Sequence, residues 1–274
     1  MTSKPEISVI VPVHDEVENL EQLHAELEEA LRRIARPYEI IFVDDGSTDG
    51  SRELLAEMAR RDALVRILIL DGHHGQSAAL AAGFSAVRGK ITATLDADLQ
   101  NDPADLPFLL SVLEHGAPAT GASAHGRVDV VNGVRSDRHD SFGRRFASLV
   151  ANGVRRSVIG DSVSDAGCSL RVMRTHWLRQ VQPFAGMHRF LPVLLAMQGA
   201  HVVECPVNHR ERCHGRSNYG IFDRLGVVVF DLLAMRWMQA RSLSYRATEL
   251  RASQRGLSVA SAQTPASTER VRSA

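Results

Sequence analysis

In Thr94-Leu95-Asp96-Ala97-Asp98-Leu99-Gln100, a β-rich approach over residues 91–95 ends abruptly in two carboxylates one residue apart. Alternate residues of a strand point the same way, so Asp96 and Asp98 are expected to aim at one point. Hard oxygen donors at a strand tip suit Mg²⁺ or Mn²⁺ carrying a diphosphate. An Asp-x-Asp pair alone fits an acidic loop equally well. Its company sets it apart: a second acidic turn, Asp44-Asp45-Gly46-Ser47-Thr48-Asp49, also follows an apolar strand.

Outward from these turns, strand and helix signals alternate. Residues 7–13 form a β-branched run. Val17, Leu20, Leu23, Leu27, Leu31 and Ile34 then recur at spacings of three and four, which predicts an amphipathic helix, and Asp15 with Glu18 looks like its capping box. Strands are expected at 39–43, 65–70 and 91–95. Helices are expected around Leu54, Leu55 and Met58, over 78–87 between Gly75 and Gly89, and from Pro103 through Leu113. Such alternation argues an α/β fold: a mainly parallel sheet with helices on both faces. Farther on, strands are expected at 128–131, 169–173 and 201–207. Helices are expected at 146–154, near 191–198 and over 221–239. Residues 117–126 read as a flexible loop and 250–274 as a disordered tail.

Bulk composition narrows the classes. The 274 residues, 44% hydrophobic, suffice for one large domain or two small ones. Lysine and arginine balance aspartate and glutamate at 32 each, so no global charge draws the chain to nucleic acid. Three cysteines, Cys168, Cys205 and Cys213, are too few and odd in number for a disulfide framework and fit a reducing cytoplasm. No signal architecture is expected at the N-terminus, and no segment reaches the ~18 apolar residues of a spanning helix. Cys205, His209, Cys213 and His214 are N/S ligand types, but their spacing is not a standard zinc pattern.

Open α/β sheets bind ligands at the carboxyl ends of their strands. Those ends are acidic here: Pro12-Val13-His14-Asp15-Glu16, Asp44-Asp45-Gly46-Ser47 and Asp96-Ala97-Asp98. The chain has neither Gly-x-Gly-x-x-Gly after its first strand nor Gly-x-x-x-x-Gly-Lys-Ser/Thr, which disfavours dehydrogenases and P-loop kinases. Phosphates are expected to be held by metal and arginines.

Ile10-Val11-Pro12-Val13-His14-Asp15-Glu16, Val43-Asp44-Asp45-Gly46-Ser47-Thr48-Asp49, Gly75-Gln76-Ser77 and Asp96-Ala97-Asp98-Leu99-Gln100 together resemble glycosyltransferase family 2, whose nucleotide-binding half has the GT-A fold. The stretches 131–141, 165–171 and 209–219 are similar to its polyprenyl-phosphate (dolichol-phosphate) sugar synthases. The resemblance covers roughly residues 6–240: a donor half at 6–115, an acceptor half at 127–220 and a helix at 221–240.

The resemblance implies transfer of a sugar from a nucleotide diphosphate to a polyprenyl phosphate, with inversion at the anomeric carbon. It places Glu16 and Asp45 on the base and ribose of the donor, with Pro12, His14 and Val43 lining that pocket and Ala97 beside it. It gives Asp96, Asp98 and Gln100 the divalent ion, Mg²⁺ or Mn²⁺. It puts Arg135 and Arg212 on phosphates, Asp165 at the position of a base or an orienting group, and Arg138, Arg216 and Asn218 near the acceptor phosphate. It further implies a UDP- or GDP-sugar donor and a peripheral seat on the cytoplasmic face of a membrane, with a homo-oligomer or a membrane partner subunit compatible with it.

Two departures stand out. Asn218 replaces a common lysine, and His14 a commoner tyrosine. Other readings stay open: a glycan or envelope-polymer acceptor, or a non-catalytic nucleotide-sugar-binding subunit. Asp44, Asp45 and Asp49 also fit turn and cap roles. Arg135, Arg138, Arg144 and Arg145 also fit a solvated face. The helix at 221–239 fits either a sheet cover or an interfacial helix, with Phe222, Leu225, Val229, Leu232, Leu233 and Trp237 in lipid and Arg224, Arg236 and Arg241 on headgroups.

Overall fold

The computed structural model describes residues 4–116, 127–135, 160, 163–165, 167–211, 225–242, 249–253 and 256–260. The first strands are β1 (Ile7–Val13), β2 (Tyr38–Asp44), β3 (Val65–Ile69) and β4 (Ile91–Thr94). They pair in parallel, with helices α1 (Val17–Ile34), α2 (Ser51–Arg61) and α3 (Gln76–Ala86) as crossovers. After α4 (Leu106–His115), strands β5 (Val130–Arg135), β6 (Arg171–Arg174) and β7 (Val202–Val207) extend the same sheet. Among the described residues its order is β3-β2-β1-β4-β6-β5-β7, and β6 alone runs antiparallel. The carboxyl ends of β1, β2, β4 and β5 and the start of β6 therefore share one edge.

Helices cover both faces, as the alternation predicts. Leu20, Leu23, Leu27 and Leu31 of α1 are fully buried against β1, β2 and the inner face of α4. Removing one such leucine side chain to alanine costs about 3 kcal/mol. On the opposite face, Ile10, Ile41, Val43, Ala79 and Leu80 pack with Met187, Leu191 and Leu195 of α5 (Met187–Met197). Gly83 allows the close approach of α3: a Cβ there would meet Ile10 Cγ2 at 2.6 Å.

Several local expectations are corrected. β4 ends at Thr94, so Asp96 and Asp98 lie in the turn beyond it, and strand alternation does not orient them. The capping box at Asp15 does not form. Asp15 is left-handed (φ 53°), and its Oδ1 accepts from the Thr48 N–H at 2.7 Å across the β1–β2 edge. The first turn of α1 is held from afar instead, by Asp49 Oδ2 accepting from Val17 N–H at 2.9 Å. Within the stretch expected to be disordered, β8 (Glu249–Ser253) and β9 (Gly256–Ala260) pair antiparallel, with Leu250 opposite Val259 and Ala252 opposite Leu257. The short alternation of those residues with Arg251 and Ser258 is a strand signal of period two. The expected loop at 117–126 and helix at 146–154 lie outside the described residues.

The C-terminal helix α6 (Leu225–Arg241) divides its apolar residues between two faces. Leu232 and Met235 are buried with Val163, Phe190 and Val193. Phe230, Leu233 and Trp237 are exposed on the other side. Leu232 is therefore removed from the expected lipid-facing set. Phe222 and Arg224 lie outside the described residues.

Candidate active site

The shared edge carries three groups of polar side chains in the order of the strands. At the β2 and β1 end sits Asp45, 2% exposed. Its Oδ1 accepts from the His74 N–H and its Oδ2 from the Gly75 N–H, each at 2.7 Å. The Oδ2 also lies 3.0 Å from His73 Nδ1. His14 Nδ1 is 2.9 Å from the Asp45 carbonyl oxygen and, as the donor, holds its ring against it. The His14 and His73 rings stack with centroids 3.9 Å apart. Ligand-type atoms of His14, Asp45 and His73 lie within 4.8 Å of one another, a spacing a metal ion could use. Gly46 makes this corner possible. It is left-handed (φ 73°), and a Cβ would meet the Gly72 carbonyl carbon at 2.7 Å.

Next along the edge, the turn after β4 presents Asp96 to an open cleft of about 200 Å³. Gln76, at the start of α3, donates to Asp96 Oδ1 at 2.6 Å. Asp98 is buried, and its Oδ1 accepts from the Gln100 N–H at 3.2 Å. Leu99 between them is left-handed (φ 61°), a costly conformation for a branched side chain, stabilised here by its complete burial. Arg210 N–H donates to the Gln100 carbonyl at 2.9 Å and ties the turn to the segment after β7.

At the β6 and β5 end, Arg135 and Asp165 form a fork: Nε to Oδ2 at 2.7 Å and Nη2 to Oδ1 at 2.8 Å. Glu204 accepts from the Ser164 N–H and hydroxyl at 2.9 and 2.6 Å, fixing the backbone beside Asp165. Arg171, completely buried at the start of β6, donates through Nε to Asn132 Oδ1 at 2.9 Å. Burial pulls its pKa down, and the nearby Asp96 and Asp165 charges act in the opposite direction. The same burial raises the Cys168 thiol to about 11, so this cysteine is an inert core group.

Pro12, His14, Asp45, Asp96, Asp98, Gln100, Arg135 and Asp165 thus all lie along this edge. Val43 and Ala97 do not offer side chains to it: Val43, near the end of β2, packs in the core on the α3 side of the sheet, and Ala97, in the turn after β4, packs in the core on the α1 side. The Glu16 carboxylate accepts from Asn19 Nδ2 at 2.5 Å on the first turn of α1. Asp44 and Asp49 serve the turn: Asp44 binds Ser47 N–H and Arg52 Nε, and Asp49 caps α1 and the Ser51 N–H. Arg212, Arg138, Arg216 and Asn218, with Arg144 and Arg145, lie outside the described residues, as do Cys213 and His214. Cys205 is an ordinary buried strand residue. His73, Arg171, His188 and Arg189 were not singled out in the sequence. His188 begins a helix before its apolar periodicity starts, and Arg171 reads as a strand residue.

A twisted, mainly parallel sheet with this acidic edge and an adjoining cleft is a GT-A domain. Comparison with known proteins agrees. The model of glycosyl transferase family 2 matches residues 8–182, and the chain belongs to that family. It is 36% identical over 228 residues to the undecaprenyl-phosphate 4-deoxy-4-formamido-L-arabinose transferase of Edwardsiella ictaluri, covering 83% of this chain and 66% of that relative. The chain thus spans just under two thirds of the relative's length. Glucosyl-3-phosphoglycerate synthase from Mycobacterium tuberculosis, solved with Mn²⁺, UDP and phosphoglyceric acid, shares the fold with a TM-score of 0.61 and 18% identity over 97% of this chain and 88% of that one. A mannosyltransferase from Pyrobaculum calidifontis, solved with GDP-Man and Mn²⁺, aligns with a TM-score of 0.57 and 19% identity over 90% and 67%. No helix among the described residues is long and apolar enough to cross a membrane.

Proposed function

We propose that the protein is an inverting glycosyltransferase that moves a sugar from a nucleotide-diphosphate sugar to a polyprenyl phosphate. The observation that carries this reading is the order of groups along one edge. Asp45 with His14 and His73 stands at one end, the Asp96–Asp98 turn in the middle, and the Arg135–Asp165 fork at the other. A donor laid along that edge has its base at the first group, its diphosphate at the second and its sugar facing the third. The donor half is then residues 6–115 and the acceptor half 127–220.

Asp45, fixed by backbone N–H groups, presents acceptors to the base, with the two imidazoles beside it. Asp96 and Asp98, with Gln100, would hold Mg²⁺ or Mn²⁺; their all-oxygen donor set suits either ion better than the mixed N/O set at His14, Asp45 and His73. When bound, the ion offsets charge developing on the departing diphosphate. Asp165 binds the Nε–Nη2 edge of Arg135 and so orients the guanidinium, whose remaining N–H groups suit a phosphate. Arg212 joins it on the donor phosphates, and Arg138, Arg216 and Asn218 serve the acceptor phosphate. An oxygen of the acceptor phosphate attacks the anomeric carbon as the bond to the diphosphate breaks, and the electron pair leaves on the diphosphate. The attacking phosphate is already anionic near neutral pH, so the step requires no strong base and Asp165 acts by orientation.

The lipid acceptor is met at the inner face of a membrane. The exposed Phe230, Leu233 and Trp237 of α6, with Arg236 and Arg241, form the docking side.

The test is a lipid-extraction assay with labelled UDP- and GDP-sugars, undecaprenyl phosphate and Mn²⁺. Label enters the organic phase with wild-type protein and is lost with Asp98→Ala. Turnover that survives Asp98→Ala refutes the metal assignment, and transfer only to water-soluble glycans refutes the acceptor.

A further inference from the structure

The geometry points to His188, set by Ser77, as the residue that reads the sugar of the donor; this rests on the donor orientation just proposed. Whatever sugar is transferred must lie between its leaving diphosphate and the incoming acceptor phosphate. In this fold that interval runs from Asp96 to the Arg135–Asp165 fork, and one cleft fills it. Pro12, Leu80 and Leu95 give it an apolar wall. Gln76, Asp96, Ser169, Arg171, His188 and Arg189 give it polar ones. An apolar face opposite convergent hydrogen-bonding groups is the arrangement a pyranose or furanose ring requires, since its C–H face and its hydroxyls point in different directions.

His188 stands on the second residue of α5, across the cleft from the β4 turn. Pro192, four residues on, has no N–H to give the His188 carbonyl, so the first turn of α5 lacks one of its own hydrogen bonds. The turn is pinned from outside by Ser77 on α3. The Ser77 hydroxyl oxygen accepts from the His188 N–H at 3.3 Å and lies 2.9 Å from His188 Nδ1. Ser77 thus engages Nδ1 and sets the plane of the ring: where the hydroxyl donates to Nδ1, Nε2 carries the proton and is a donor to a sugar oxygen, and where Nδ1 donates, Nε2 accepts from a sugar hydroxyl. Ser77 itself is buried, so the pair is a rigid fixture and not a surface contact. Selection follows from geometry. A sugar whose hydroxyl meets Nε2 gains a hydrogen bond that its epimer cannot make.

The experiment compares affinities of UDP, GDP and a panel of epimeric UDP- and GDP-sugars by calorimetry with Mn²⁺, for wild type, His188→Ala, His188→Gln and Ser77→Ala. Thermal unfolding serves as the fold control. Wild type is expected to bind one nucleotide-sugar more tightly than its epimer and than the bare nucleotide. His188→Ala should bind the bare nucleotide within about twofold of wild type and lose about tenfold in epimer discrimination, the equivalent of one hydrogen bond. His188→Gln, whose amide NH₂ reaches the Nε2 position, should retain most of the discrimination, and Ser77→Ala should lose part of it. A folded His188→Ala that discriminates like wild type overturns the assignment of His188 and leaves the donor reading standing. A wild type that binds neither nucleotide overturns the donor reading and this assignment with it.

Discussion

Arg135 and Asp165 meet in a two-bond fork, at 2.7 and 2.8 Å, on the edge where β5 ends and β6 begins. Asp165 is 4% exposed at its side chain, and the Arg135 and Gly167 N–H groups also donate to it. A carboxylate so engaged holds the arginine in place. Asp165→Asn is expected to cost about 2 kcal/mol of stability, because one charge-assisted bond is lost and the guanidinium is left undercompensated. It should lower kcat far more than nucleotide affinity. The deciding measurement is the pH dependence of kcat: an acidic limb that persists in Asp165→Asn fits orientation, and one that disappears identifies Asp165 as the base.

Asp45 sets the other end of the edge. Its two oxygens accept from consecutive backbone N–H groups, so Asp45→Asn turns an amide NH₂ toward at least one N–H donor. That mismatch is expected to cost about 1–3 kcal/mol locally and to displace the His73–Gly75 loop. Nucleotide affinity, measured by calorimetry with the Asp98→Ala variant as comparison, should fall at least tenfold. An Asp45→Asn protein binding nucleotide as wild type does would remove Asp45 from the base site.

Much of this was legible in the sequence because its causes are local. The α1 face was written in leucines at helical spacing, and the acidic strand ends marked the ligand edge. The roles inside the Asp44–Asp49 turn were not legible. Three aspartates of the same type diverge only when the chain is folded: Asp45 faces His73 and Gly75, Asp44 meets Arg52, and Asp49 reaches back to Val17. The Asp15 capping box failed for a related reason, since a cap from 32 residues away competes with a local one and leaves no sequence trace. His188 has no local sequence signal, because its partner, Ser77, is 111 residues distant. The two faces of α6 could not be told apart without knowing where Phe190 and Val193 lie.

Asp49 gives a pH prediction. Burial pushes its carboxyl up, but the hydrogen bonds from Ser51 and from the Val17 N–H prevail and hold it below its ordinary 3.8. A lowered native value means that its contribution to stability is complete above that ordinary value and is lost as pH falls through the native one. Asp49→Ala should cost about 1 kcal/mol at neutral pH, as expected for a lost cap. The gap between variant and wild type, followed by urea unfolding, should narrow only on acidification below that range. A gap that stays constant into strong acid would show that the Asp49 charge contributes nothing.

On α6, Leu233 and Trp237 point away from the protein, 59% and 64% exposed, whereas Leu232, on the other side of the helix, is packed on the helix that carries His188. The one acidic residue of α6, Asp231, is turned inward, with its Oδ2 2.8 Å from where a Cβ on Gly186 would lie. The outer face therefore presents apolar side chains with Arg236 and Arg241, a combination that suits an anionic bilayer. Replacing Leu233 and Trp237 together by glutamate is expected to lower binding to phosphatidylglycerol vesicles by about 100-fold or more, since each buried side chain contributes about 2 kcal/mol to partitioning. Thermal stability should change little, because both side chains face solvent in the free protein. Leu232→Glu is the contrasting control and should lose about 3 kcal/mol by placing an unpaired charge in the α5–α6 contact. Vesicle co-sedimentation at low and high salt separates the contributions: the arginine share weakens with salt and the leucine–tryptophan share persists. Wild-type vesicle binding by the double glutamate variant would show that this face is not the docking surface.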